Sequence, residues 1–198
     1  MTQTSEAQLT NLVTDRWSPR SFKDDPVSKE QLTRLLEAAR RAPSSFNIQP
    51  WHFIYAYKND GEAYQRLFDC LMDANKGWAQ LAPVLMLSVT KTHQDDGNPN
   101  YYARHDVGMA MGNLLAQATY EGLAVHQMGG YHASKAIENL NIPQGYEPVA
   151  MTAIGYQGPA EQLPKELQKV ESQDSSPRKE LAQFVFQGSW SSKADIIE

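Results

Sequence analysis

Cysteine is nearly absent: Cys70 is the only one in 198 residues. No intrachain disulfide can form, and no thiolate zinc cluster. The chain also lacks a positive excess. Its 18 Lys and Arg stand against 23 Asp and Glu, a formal net charge of −5. That balance argues against a duplex nucleic acid as partner, because phosphate contacts need a basic face. It leaves room for a small anionic ligand held by a few arginines. Long apolar runs are missing. The longest, residues 81–89, is about half of what a membrane span needs. The first residues, MTQTSEAQLTNLVTDRW, have neither a basic start nor an apolar core, so no signal peptide is expected and the expected location is the cytoplasm. There is no Walker loop, no HExxH and no nucleophile elbow. His52, His93, His105, His126 and His132 show no metal-ligand spacing, and no glycine-rich dinucleotide fingerprint follows the first strand.

What is present is enough for a core. Hydrophobic residues make up 41% and aromatics 10%, a globular composition rather than a disordered one. A chain of this length buries roughly 70% of its unfolded surface. We expect a single domain over 1–198, with a core of about 9–158 and a C-terminal arm of about 159–198. A short helix is expected over 5–14. Ser28 and Gln31 have capping-box spacing, and Leu32, Leu35, Leu36 and Ala39 recur at helical period, which predicts a helix over 29–41. Further helices are expected over 61–75, 106–121 and 133–140. The helix over 106–121 is apolar around much of its circumference and so is read as buried, with Gly108 and Gly112 allowing close packing. Strands are expected over 52–57, 82–90, 124–127 and 149–155. The polar stretch 91–106 reads as a long loop of the kind that forms lids. The tail is polar until FVF and Trp190, which predicts an arm packed on the domain or on a second subunit.

Four segments could carry chemistry. In Arg16-Trp17-Ser18-Pro19-Arg20 the proline disfavours helix. An extended chain then sets Arg16, Ser18 and Arg20 on one face. Two forked cations and a hydroxyl suit a phosphate; the same residues also suit a solvated basic stretch paired with Asp24 and Asp25. Pro43-Ser44-Ser45-Phe46-Asn47-Ile48-Gln49-Pro50 is a stiffened loop with hydroxyls and amides. It suits a heteroaromatic ligand with mixed donors and acceptors, or an ordinary self-capped connection. His126-Gln127-Met128-Gly129-Gly130 allows close backbone approach, or is a simple turn, with His126 packed and hydrogen-bonded rather than catalytic. Ser176-Pro177-Arg178-Lys179 is basic again, and read alone is a solvent-facing tail.

Together, RWSPRSF, PVSKEQLTRLLEAARRAPSSFNIQPWHF, LAPVLMLSVT, HQMGGYH and RKELAQFVFQGSW resemble the FMN-dependent nitroreductase family from about residue 9 to Trp190. The resemblance implies an α+β fold whose mixed, mainly antiparallel sheet is flanked by helices. It implies a homodimer with an exchanged C-terminal arm and two FMN sites at the interface. It assigns flavin contacts to Arg16, Trp17, Ser18 and Arg20, and to Pro43, Ser44, Ser45 and Asn47 of the other subunit. Asn75, Met128, Gly129, Gly130, Arg178 and Lys179 complete the set. The implied activity is ping-pong hydride transfer from NADPH or NADH through FMN to nitroaromatics, quinones or enones. No side chain is required as a catalytic acid or base. Tyr101, Tyr102 and Arg104 are candidate substrate-facing residues. His132 departs from a common acidic cap, and Trp78 from a lysine found in some members. Dehalogenation, oxygen-dependent flavin fragmentation, non-enzymatic FMN binding and a flavin-free scaffold are the alternative readings.

Overall fold

The computed structural model describes residues 9–172 and 177–197. Its centre is a four-stranded antiparallel sheet in the order β1-β2-β4-β3. The strands are β1 (Trp51–Tyr57), β2 (Val84–Lys91), β3 (Ala124–Met128) and β4 (Tyr146–Gly155). β2 is buried at every position but Lys91, which is why it reads as a continuous apolar run. Leu85, Leu87 and Val89 face one core, with Leu67, Trp78 and Ala136. Val84 and Met86 face the other, with Leu32, Leu35, Val107, Met111 and Leu114. Helices therefore cover both faces. Each fully buried leucine of β2 contributes about 1.5–3 kcal/mol of hydrophobic stabilisation. The β2–β4 register slips between Ser88 and Val89, opposite Pro148. Proline has no N–H for the ladder and is tolerated at a bulge. Ser88 repairs the gap: its hydroxyl accepts from Ala150 N and donates to Ala150 O.

Seven helices are described: α1 (Asn11–Thr14), α2 (Lys29–Arg40), α3 (Glu62–Asp69), α4 (Asp73–Ala79), α5 (Ala103–Tyr120), α6 (Ala133–Asn139) and α7 (Lys165–Gln168). The capping box of α2 is formed in full: Ser28 Oγ accepts from Gln31 N, and Gln31 returns the bond to Ser28 N. Residues 5–8 of the expected opening helix and Ser176 lie outside the described residues. Two expectations need correction. The helix expected over 61–75 is two helices, because Cys70–Met72 leaves helical geometry to meet the chain after β3. Leu71 bridges Tyr131, Met72 N donates to Gly130 O, and His132 N donates to Cys70 O. The helix α5 starts earlier than expected and is buried on one side only. Val107, Ala110, Met111, Leu114 and Ala118 face inward, while Met109 and Tyr120 are exposed and a Cβ at Gly108 or Gly112 would touch nothing in the chain. The end of the arm is likewise uncovered: Trp190 is 86% exposed, its ring 5.1 Å from that of Phe186.

Candidate functional site

The Arg16–Arg20 run lies along the free edge of β3. Pro19 O accepts a bond from His126 Nδ1 at 2.9 Å, which places the imidazole proton on Nδ1. Trp17 Nε1 donates to Gln157 Oε1, and Phe22 bridges Gln157. Arg16 Nη1 donates to Ser18 Oγ at 3.2 Å. The i, i+2 pair expected from an extended chain is therefore made. The bond uses a lone pair of Ser18 and leaves its hydroxyl proton for an acceptor.

No ion pair among the described residues involves Arg16 or Arg20. Burial first, and the positive charge of Arg178 second, push the Arg16 guanidinium below its ordinary value. The charge of Arg178 thus acts on Arg16 across the chain. Lys179 follows Arg178 on the exposed tail. A cleft of about 280 Å³ runs beside Arg16 and Trp17, lined also by Leu115, Thr119, Ala124 and Gln157. A larger groove of about 770 Å³ lies by Asp24, Tyr57, Lys58 and Asp60. Within it Lys58 pairs with Asp24, and Asp60 accepts from Tyr57 N.

At the other end of β3 the chain turns through Gly129 and Gly130. Asn75 Nδ2 donates to Gly130 O at 2.9 Å. A Cβ on Gly130 would sit 2.6 Å from that nitrogen, whereas one on Gly129 would meet nothing. The break between α3 and α4 is what delivers Asn75 here. Met128 is 3% exposed and its side chain belongs to the core; toward a ligand it offers backbone only. Trp78 is also core, stacked on Phe22 and 4.6 Å from the His126 ring. His132 stands at the N-cap of α6 without a side-chain capping bond.

The loop before β1 is strained. Phe46, Asn47 and Gln49 all have positive φ, at 50°, 56° and 51°, a conformation that costs non-glycine residues about 1–3 kcal/mol each. It is held by Ser44 Oγ, which accepts from Gln49 N, and by Asp106, which accepts from Ser45 N at 3.1 Å. Pro43 and Asn47 are exposed and Phe46 is 93% exposed. This loop meets α5 at Asp106, whereas Arg16 lines its cleft with Thr119. The two contacts are about 20 Å apart along the helix axis at 1.5 Å per residue. Within one chain, Pro43, Ser44, Ser45 and Asn47 are not brought to Arg16. Near the start of α5, Tyr101 and Tyr102 are exposed and Arg104 pairs with Glu147 at 2.8 Å.

Sequence reasoning passed over three residues that hold this arrangement: Asp106, Glu171 and the Pro19 carbonyl. Only Asp106 left a trace, as a lone acid on the apolar side of a helix.

The fold is α+β: an antiparallel sheet covered on both faces, with the arginine-bearing segment 16–20 tied to its edge strand β3 through His126. The nitroreductase family model matches residues 13–84 and 71–156, and the chain belongs to the nitroreductase family. A solved oxidoreductase containing FMN superposes with a TM-score of 0.89 at 37% identity, covering 98% of this chain and 100% of its own. An FMN reductase [NAD(P)H] of Bacillus subtilis (strain 168) is 28% identical over 162 residues, 73% of this chain and 64% of that protein. An iodotyrosine deiodinase of Haliscomenobacter hydrossis is 26% identical over 188 residues, 78% of this chain and 81% of that protein. No helix among the described residues is long and apolar enough to cross a membrane.

Proposed function

We propose that the chain is an FMN-dependent NAD(P)H oxidoreductase acting on nitroaromatics, quinones or related electron-poor acceptors, and that it works as a homodimer in the cytoplasm. The observation that carries the reading is the partly buried Arg16 guanidinium, bonded to Ser18 Oγ and in no ion pair among the described residues. Such a donor set fits a phosphate dianion on an otherwise acidic protein. Arg16, Ser18, Arg178 and Lys179 would hold the phosphate. Trp17, Arg20, Asn75, Met128, Gly129 and Gly130 would line the flavin through side chains or backbone. FMN, when bound, supplies hydride transfer between the nicotinamide and the acceptor. The protein's part is to bind, orient and shield; no side chain is assigned as acid or base.

The dimer is supported by two features. The Pro43–Asn47 loop is spent on no contact with the Arg16 end of its own chain. The outer face of α5 is also uncovered, with Gly108, Met109, Gly112 and Tyr120 exposed. A second copy laid on α5 would bring its loop to this chain's flavin site and cover that face. The expected outcome is a yellow dimer by light scattering whose 450 nm band bleaches on anaerobic addition of NADPH or NADH. A colourless protein that takes up no added FMN would sink the proposal, and a stable flavin-loaded monomer would sink its two-chain form. A dehalogenase reading, raised by the deiodinase relative, separates on a substrate panel: iodotyrosine reoxidising the reduced protein faster than nitroaromatics and quinones would select it.

A further inference from the structure

The Arg16–Arg20 run contains no acid, yet a carboxylate reaches it from the far end of the chain. Glu171 Oε1 accepts the backbone N–H of Arg20 at 2.7 Å and that of Ser21 at 2.8 Å. The contact spans 151 positions, so nothing local enforces it. Glu171 Oε2 is buried without a hydrogen-bond partner. An unsatisfied buried carboxylate oxygen is costly, so the side chain is kept in place by what Oε1 does. Bonds from an ionised acceptor to backbone N–H groups are the strong kind.

The neighbouring backbone groups are fixed as well. Pro19 O is taken by His126, Ser21 O by Gly158 N, and Phe22 O by Gln162 Nε2 at 2.7 Å. A Cβ at Gly158 would press within 2.8 Å of Phe22 C and Ser21 Oγ, so the chain at 158 lies close against residues 21 and 22. Of these contacts, Glu171 is the one that fastens Arg20 itself.

We infer that Glu171 is a positioning residue of the flavin site: its carboxylate fixes the backbone that presents Arg16, Ser18 and Arg20. The inference rests on the FMN reading above. It is distinct from a simple staple of tail to core, because a staple would alter stability and leave ligand affinity unchanged.

The test uses full-length protein stripped of flavin and titrated with FMN by fluorescence. Apoprotein Tm and the ³¹P resonance of bound FMN are read in parallel. E171A is expected to raise the Kd at least tenfold and to shift the phosphate resonance. E171Q, whose amide oxygen can accept the same two N–H groups, is expected to stay within threefold of wild type. E171D keeps the charge but falls short by one methylene; should E171A not fold, a Kd raised at least threefold in E171D gives the same answer. A wild-type Kd and resonance in E171A or E171D, with only Tm lowered, would overturn the inference and leave the flavin reading intact. A wild-type protein that binds no FMN would overturn both.

Discussion

The Asp106 carboxylate, buried in the first turn of α5, accepts the backbone N–H of Ser45 at 3.1 Å across 61 positions. It pins the start of a loop in which three non-glycine residues hold positive φ. Such strain persists only where the surroundings over-determine it. Removing the acceptor leaves a donor short of a partner, which costs about 1–3 kcal/mol. Asp106→Ala is therefore expected to lower the urea midpoint and to weaken FMN retention about tenfold if the loop serves a flavin. Asp106→Asn, which keeps an acceptor oxygen, is expected to recover most of both. Equal flavin affinity in all three proteins would detach the loop from the site.

Gly129 and Gly130 give opposite expectations. Alanine at 130 would drive a Cβ to 2.6 Å from Asn75 Nδ2 and break the Asn75–Gly130 bond. We expect Gly130→Ala to lose about 1–3 kcal/mol of stability. Alanine at 129 meets nothing in the chain, so Gly129→Ala is expected to keep its stability within about 0.5 kcal/mol. A bound flavin pressed against the turn would still make it bind FMN more weakly. Thermal melts of apoprotein and flavin titrations of both variants separate the two costs.

Local signals were legible from sequence and long-range ones were not. The Ser28–Gln31 box and the Arg16–Ser18 pair are made by residues two or three apart, so spacing alone revealed them. β2 announced itself because both its faces are buried. The break at Cys70–Met72 carries no local signature; it exists because Leu71 pairs with Tyr131. Glu171 looked like any tail glutamate until the fold set it on Arg20. The exposed side of α5 misled for a related reason. An apolar circumference signals burial without saying whether the same chain supplies the cover.

His126 supplies a pH dependence. Desolvation, ahead of its other surroundings, holds its pKa below the ordinary 6.5. The folded state then binds fewer protons than the unfolded state as the pH drops through about 6.5. By linkage, this contribution to stability is present above that pH and is lost on acidification toward the lower folded value. The charge facing the ring is Arg20, which acts in the same direction. His126→Gln is expected to melt less steeply with pH between 7.5 and 5 than wild type. It should also lose about 0.5–1.5 kcal/mol throughout, from the ring packing on Trp78. Parallel urea titrations at several pH values measure the difference in slope; identical slopes would show that another group carries the effect.

Arg16 separates ligand binding from folding. Its guanidinium is opposed by burial and by Arg178, so the apoprotein gains little from it beyond the bond to Ser18. Arg16→Ala is accordingly expected to leave the apoprotein Tm unchanged or raised. Toward a phosphate dianion the same group makes charge-assisted bonds of about 1.5–3 kcal/mol. FMN affinity should therefore fall about 10- to 150-fold. Riboflavin, which has no phosphate, should bind wild type and variant alike. Arg16→Lys keeps the charge but loses the fork, and should fall between them. Higher salt should narrow the FMN difference by screening the exposed part of the interaction. If riboflavin were weakened as much as FMN, Arg16 would be a contact to the ring system, and the phosphate would have to be sought elsewhere along β3.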